Sequence, residues 1–140
     1  MVDWRSAQDI LRVSPSFHNK PRYDCIIVKV DEGRYIFARL LYIFGFTIDT
    51  KDYFTALILP MDLPPSPHYR TRNHDLRFTH VRARQRAFSV FISVESIVRG
   101  ALLVEDFGAE YGDEYLVIDV VDSDMWLRLK MLGFVQRVNL

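Results

Sequence analysis

Arginine is the residue type that gives this chain its most distinctive chemistry. All of its 18 basic residues except four lysines are arginine, and the guanidinium group presents a planar fork of donors that suits phosphate and carboxylate. Arg82, Arg84 and Arg86 alternate along the chain, so in an extended strand they share one face. This spacing predicts a row of cations that follows a phosphate backbone or meets an acidic protein surface. The full basic segment contains Arg70, Arg72, Arg77, Arg82, Arg84 and Arg86, with Asp75 as its acid.

An acidic segment follows the basic one and supports a second interpretation. The chain has 18 Asp+Glu against 18 Lys+Arg, yet every charged residue between positions 105 and 124 is acidic. The neutral sum is therefore a cancellation between segments. The two segments can neutralise each other within one molecule, or they can pair between the subunits of a homo-oligomer. The acids are Glu105, Asp106, Glu110, Asp113, Glu114, Asp119, Asp122 and Asp124.

Aromatic residues near the acidic segment form a candidate peptide pocket. Tyr111, Tyr115 and Trp126 lie close in sequence to Glu114, and rings with a nearby carboxylate can enclose a methylated lysine. The competing interpretation, which we favour, is that these rings pack in the core or at its rim. The same choice applies to a second aromatic set, which comprises Tyr35, Phe37, Tyr42, Phe44 and Phe46.

The motifs of the common enzyme classes are absent from the sequence. The glycines form no phosphate-binding loop, and no cysteine–histidine spacing suits zinc. The serines lack a nucleophile elbow. Asp119, Asp122 and Asp124 resemble a carboxylate cluster for a divalent metal, but a strand surface and a helix cap explain them better. We therefore expect no catalytic residue, no cofactor, no small-molecule substrate and a function other than enzymatic.

The histidines and the cysteine also predict no metal site. His68, His74 and His80 lie in or beside the basic segment, where positive charge opposes the binding of a cation. Cys25 is the single cysteine and lies in an apolar run, which predicts a buried, inert thiol. A lone cysteine and apolar runs far shorter than the ~20 residues of a membrane span predict an intracellular protein without a membrane partner.

The elements that must position these residues are mainly strands. Turn residues separate short apolar runs throughout the middle of the chain, and helical patterns occur only near the two ends. We expect one domain over residues 1–140 with a mainly β fold, a small bent barrel or sandwich. Its expected parts are an N-terminal helical segment (1–13), a β-rich core (21–121), a long loop (60–75) and a C-terminal helix (122–132). The expected strands are 23–30, 34–46 with a bulge or bend near Gly45, 53–59, 76–81, 87–92, 96–103 and 115–121.

Several long runs resemble a known group of sequences. They are PSFHNKPRYDCIIVK, IFARLLYIFGF, FTALILPMD, HVRARQRAFSVFISVESIVRGALLVEDF and YLVIDVVDSDMWLRLK. Together they resemble an uncharacterised domain family that recurs in transposable-element-associated proteins of mushroom-forming fungi. The resemblance implies a place in an element-encoded complex and assigns no enzymatic role.

A further pattern is similar to bromo-adjacent homology (BAH) modules. Those modules have a phrase of the type hydrophobic-Ser-Ile-x-Gly-x-hydrophobic before their last barrel strand. Residues 96–102 of this chain read SIVRGAL, which is similar to that phrase with one extra position between Ile97 and Gly100. Their Phe-Tyr-Arg-Pro signature reads Leu57-Ile58-Leu59-Pro60 here, so no cage residue is carried over. The resemblance implies a non-enzymatic interaction module, with nucleic acid or a chromatin protein as partner and a nuclear location.

Overall fold

The computed structural model describes residues 10–63, 79–107 and 112–118. Those residues are mainly β, as the alternating patterns predict. Two short 3₁₀ turns, Arg86–Phe88 and Val94–Ser96, are the helical elements among them. The strands are β1 (Val13–Phe17), β2 (Lys20–Tyr23), β3 (Cys25–Asp31), β4 (Arg34–Ile48), β5 (Lys51–Asp62), β6 (Thr79–Ala83), β7 (Val90–Ser93), β8 (Ile97–Ala101), β9 (Leu103–Glu105) and β10 (Glu114–Val117).

One antiparallel sheet of eight strands organises the described residues. Its order is β8-β3-β4-β5-β6-β10-β9, and β7 also pairs with β5, while β1 and β2 form a separate hairpin. Strands β8 and β9 lie at opposite ends of this order, yet only Leu102 separates them in the chain. The two ends of the sheet therefore come within about 7 Å of each other, because two residues of chain reach no further. The sheet curls back on itself, but strand pairing does not close it.

The centre of the sheet is buried on both faces. Phe37, Val81 and Tyr115 belong to a cluster on one face, and Ile26, Leu40 and Ile58 belong to a cluster on the other. Alternate residues of β3 serve both clusters, which explains why this strand begins as an uninterrupted apolar run. Burial of apolar surface on both sides makes β3, β4 and β5 the stable centre of the fold.

The hairpin of β4 and β5 extends beyond the strands beside it. Strand β4 has 15 residues, whereas β3, its partner on the other side, has 7 and pairs only with the first part of β4. The turn at its tip is Asp49-Thr50, with φ values of 48° and 66°. Positive φ at both central residues is what a two-residue hairpin turn of type I′ requires.

Strand β4 contains an irregularity in its pairing, but it does not lie near Gly45, where a bulge or bend is expected. The pairing of β4 with β5 shifts between Leu40 and Tyr42, whereas Gly45 pairs regularly with Phe54. A Cβ atom on Gly45 would lie 3.1 Å from the ring of Phe54, so this glycine accommodates the ring that covers it.

The predicted boundaries also need correction at three places. Residues 10–12 are not helical and β1 begins at Val13, so the β structure starts before the expected core boundary at 21. Strand β5 continues through Asp62, which removes 60–62 from the expected loop. The expected strand 87–92 begins instead with a 3₁₀ turn. The rest of the N-terminal helix, the C-terminal helix and most of the loop lie outside the described residues, and the single domain stays a prediction.

Within the described ranges, no helix has the length and apolar character that a membrane crossing needs.

Candidate functional site

The predicted arginine row does not lie along a single strand. Strand β6 ends at Ala83, so it carries Arg82 only. Arg84 follows the strand, and Arg86 opens the first 3₁₀ turn. The alternation that would align all three side chains therefore stops after the first. Arg70, Arg72 and Arg77 lie outside the described residues.

Two of these arginines form ion pairs inside the molecule. The guanidinium of Arg84 donates two hydrogen bonds to the carboxylate of Asp62, at 2.8 Å and 2.7 Å. Arg82 donates one to Asp113 at 3.1 Å. The hydrogen bond from Arg84 lowers the pKa of Asp62, and the same contact raises the pKa of Arg84. Neutralisation between basic and acidic residues thus occurs within one chain, at these two arginines.

Arg86 differs from its two neighbours. Its side chain is exposed and makes no ion pair with any residue that the structure describes. Asp62, which neutralises Arg84, lies 22 residues away and outside the acidic segment. No sequence signal indicates that pair, because it depends on the register of β5 against β6.

The expected peptide pocket is wrong for Tyr115 and Glu114. Tyr115 is 6% exposed and belongs to the core, where the guanidinium of Arg39 lies 4.8 Å from the centre of its ring. Glu114 precedes it on β10, is 2% exposed and faces the opposite side of the strand. A buried ring cannot line an open cage, so the alternative of core packing is confirmed for Tyr115. Tyr111 and Trp126 lie outside the described residues.

A different set of aromatic side chains forms one surface on the extended part of the hairpin, and all of them except the partly buried Phe44 are exposed. We call it the aromatic face, and it consists of Tyr42, Phe44, Phe46, Tyr53 and Phe91. Strand register places them on one side, because Phe46 pairs with Tyr53, and Tyr42 and Phe91 both pair with Leu57. Phe46 stacks on Tyr53 with ring centres 5.5 Å apart, and Phe44 meets Phe91 edge to face at 6.0 Å. Phe44 also lies 5.9 Å from Tyr42 and 6.0 Å from Phe46 between ring centres, so the five rings make one continuous row.

The aromatic face is open to solvent and carries little charge. Phe91 is 65% exposed, Tyr42 58%, Phe46 40% and Tyr53 39%. Ile48 extends the row at 54% exposure. Lys51, at the tip, lies 5.3 Å from the centre of the Tyr53 ring in a cation–π contact. Alternation correctly places Tyr42, Phe44 and Phe46 on one face, but the expectation that most of these rings lie in the core is wrong for Tyr42 and Phe46.

Three ligand-type side chains converge at the other end of the sheet. His80 on β6, Asp106 after β9 and Glu114 on β10 have donor atoms that all lie within 4.8 Å of one another. His80 Nε2 is 3.5 Å from Asp106 Oδ2 and 3.5 Å from Glu114 Oε2. The sequence places His80 among arginines, whereas the fold places it beside two carboxylates.

Comparisons with protein-family models, curated proteins and solved structures give no match to this chain. Its function is therefore inferred from the aromatic face, the arginines and the buried cluster.

Proposed function

We propose that this chain is a non-enzymatic interaction module that associates with a second copy of itself through the aromatic face. The observation that carries the proposal is the exposure of a continuous row of rings on the hairpin. Monomeric proteins rarely leave contiguous apolar patches larger than a few hundred Å² in water. Tyr and Phe side chains are also enriched at protein interfaces relative to the rest of the surface.

The size of the aromatic face suits a small homodimer. Four of the five side chains are about half exposed, and a large aromatic side chain offers 150–250 Å², so the face presents roughly 400–500 Å² per copy. Two copies would bury roughly 800–1,000 Å² together, close to the lower limit for a specific interface. Neighbouring residues such as Ile48 add to this area.

The charge of the aromatic face is compatible with a second copy as the partner. Among the described strand residues on the side of the rings, Lys51 is the charged one, and its ammonium group already lies over the Tyr53 ring. Two such faces related by a two-fold axis therefore meet without rows of like charge. Self-association through basic and acidic segments has less support, because Arg82 and Arg84 are paired within one chain.

Sedimentation at several protein concentrations tests the proposal. We expect a concentration-dependent dimer in the wild type, which Phe91→Ser weakens at least tenfold. Phe54→Ser is the matched control, because Phe54 is 61% exposed on the opposite side of the same hairpin. Dimer formation by Phe54→Ser with circular dichroism unchanged in both variants supports the proposal. A wild type that sediments as a monomer throughout, or equal loss in both variants, contradicts it.

A second candidate function is contact with nucleic acid or an acidic chromatin protein through the arginines. Exposed Arg86, without an ion pair among the described residues, favours it. The resemblance to BAH modules and to transposable-element proteins of fungi belongs to this candidate, as does a nuclear location. It predicts contacts from Arg86 and from Arg70, Arg72 and Arg77, with smaller contributions from the two paired arginines.

A further inference from the structure

His80 on β6, Glu114 on β10 and Asp106 just after β9 reach one point. Glu114 pairs with Arg82, and Leu116 pairs with His80, so His80 and Glu114 are diagonal neighbours on the same face of β6 and β10. The backbone N–H of Asp106 donates to the carbonyl of Glu114 at 2.9 Å, which fixes Asp106 beside them. Strand pairing therefore holds His80 and Glu114, and one further backbone hydrogen bond holds Asp106 beside them.

The spacing of the donor atoms suits a shared metal ion. A direct N–H···O hydrogen bond has a length of about 2.7–3.2 Å, shorter than the 3.5 Å that separates His80 Nε2 from each carboxylate oxygen. Ligands bound at about 2.0–2.1 Å to a tetrahedral zinc ion lie roughly 3.4 Å from one another. The two distances from His80 Nε2 thus match those between ligands of one ion.

The burial and the charge of the cluster also favour a bound metal ion. The side chains of Asp106 and Glu114 are each 2% exposed, and that of His80 is 8% exposed. Two carboxylates and an imidazole this close together offer a divalent cation two negatively charged oxygen ligands and one nitrogen ligand. The imidazole binds such an ion in its neutral form.

We propose that His80, Asp106 and Glu114 form a binding site for a divalent transition-metal ion, with zinc as the preferred ion. One imidazole nitrogen with two carboxylate oxygens is a donor set that suits Zn²⁺ or Mn²⁺, whereas Mg²⁺ and Ca²⁺ prefer oxygen ligands throughout. The bound ion would tie β9 and β10 to β6, across the end of the sheet where its edges approach. The site is separate from the aromatic face, and neither proposal depends on the other.

Titration of chelator-treated protein with Zn²⁺ tests this site. We expect about one equivalent to bind with measurable heat and to raise the melting temperature, and Mg²⁺ to do neither. Glu114→Gln and Asp106→Asn should each weaken zinc binding at least tenfold. Glu105→Gln is the matched control, because Glu105 is an exposed carboxylate next to Asp106 and should leave binding unchanged.

A measurement on the wild type keeps the test decisive if a variant does not fold. The imidazole resonances of His80 should shift at one equivalent of Zn²⁺ and broaden with paramagnetic Mn²⁺, whereas those of His18 should not. The proposal is overturned if Zn²⁺ produces neither heat nor a change in melting temperature. It is equally overturned if the His80 resonances do not respond or if folded Glu114→Gln binds zinc as the wild type does.

Discussion

At the scale of single residues, the pairing of Asp62 with Arg84 gives a pH-dependent contribution to stability. Arg84 lowers the pKa of Asp62 below its ordinary value of 3.8. The folded state therefore favours the ionised carboxylate, and its contribution is present at neutral pH and is lost as the pH falls below 3.8. Because both side chains are about half exposed, the pair contributes only ~0.2–1 kcal/mol.

Asp62→Asn should therefore lower the free energy of unfolding by ~0.2–1 kcal/mol at neutral pH. The difference between variant and wild type should disappear once the pH is well below 3.8. Denaturant unfolding at both pH values measures this, and Arg84→Gln with the double variant completes a cycle that isolates the pair. An equal loss at both pH values would show that the variant acts through something other than the carboxylate charge.

Residue properties that depend on the local sequence were predictable, and those that depend on strand register were not. Cys25 lies in an apolar run, and its predicted burial is confirmed. Burial raises the pKa of its thiol, although Arg39 opposes the shift. The convergence of His80 with Asp106 and Glu114 needs the order β6-β10-β9, which no local pattern specifies.

At the scale of elements, the tip of the long hairpin has an unfavourable backbone. Asp49 and Thr50 both have positive φ, a region that costs roughly 1–2 kcal/mol for a residue with a Cβ atom. Asparagine and glycine are the preferred residues of this turn type. The replacement Asp49→Asn with Thr50→Gly should thus stabilise the protein by ~1 kcal/mol, as measured by denaturant unfolding.

The same double variant provides a check on the aromatic face. The turn lies beyond the rings, so dimerisation in the sedimentation experiment should be unchanged. A less stable double variant would show that the side chains of Asp49 and Thr50 contribute more than their backbone costs. Asp49→Asn alone should give a smaller gain, because asparagine tolerates positive φ but leaves Thr50 in place.

Alternation predicted the strands well and the exposure of their faces poorly. The period of two assigns Tyr42, Phe44 and Phe46 to one side of β4, and the register confirms this. Whether that side is covered depends on how far neighbouring strands extend, and β3 pairs only with Arg34–Arg39 of β4. A sequence rich in aromatic residues therefore predicts a core by default, even where the rings lie in water.

At the scale of the whole molecule, basic and acidic residues are less separated in the fold than they are along the sequence. Antiparallel pairing of β6 with β5 and β10 brings Arg84 to Asp62 and Arg82 near Asp113. Both charged segments are visible in the sequence, but the ion-pair partners follow only from the strand order and register of the sheet. The positive charge left for a partner is accordingly smaller than the count of arginines suggests.

The nucleic-acid candidate consequently predicts unequal contributions from the arginines. We expect binding to single-stranded or duplex DNA that weakens as salt rises. Arg86→Ala should reduce the slope of log affinity against log salt by about 0.7–0.9, the effect of one lost phosphate contact. Arg82→Ala should reduce it less, because Asp113 already engages that guanidinium.

Fluorescence anisotropy over a salt series measures these slopes. Arg34→Ala is the control, because Arg34 is exposed, is distant in sequence from Arg86 and pairs with Asp31 at 2.6 Å. Absence of salt-dependent binding by the wild type, or an unchanged slope in Arg86→Ala, would contradict nucleic-acid contact through this residue and leave the aromatic face as the supported interaction surface.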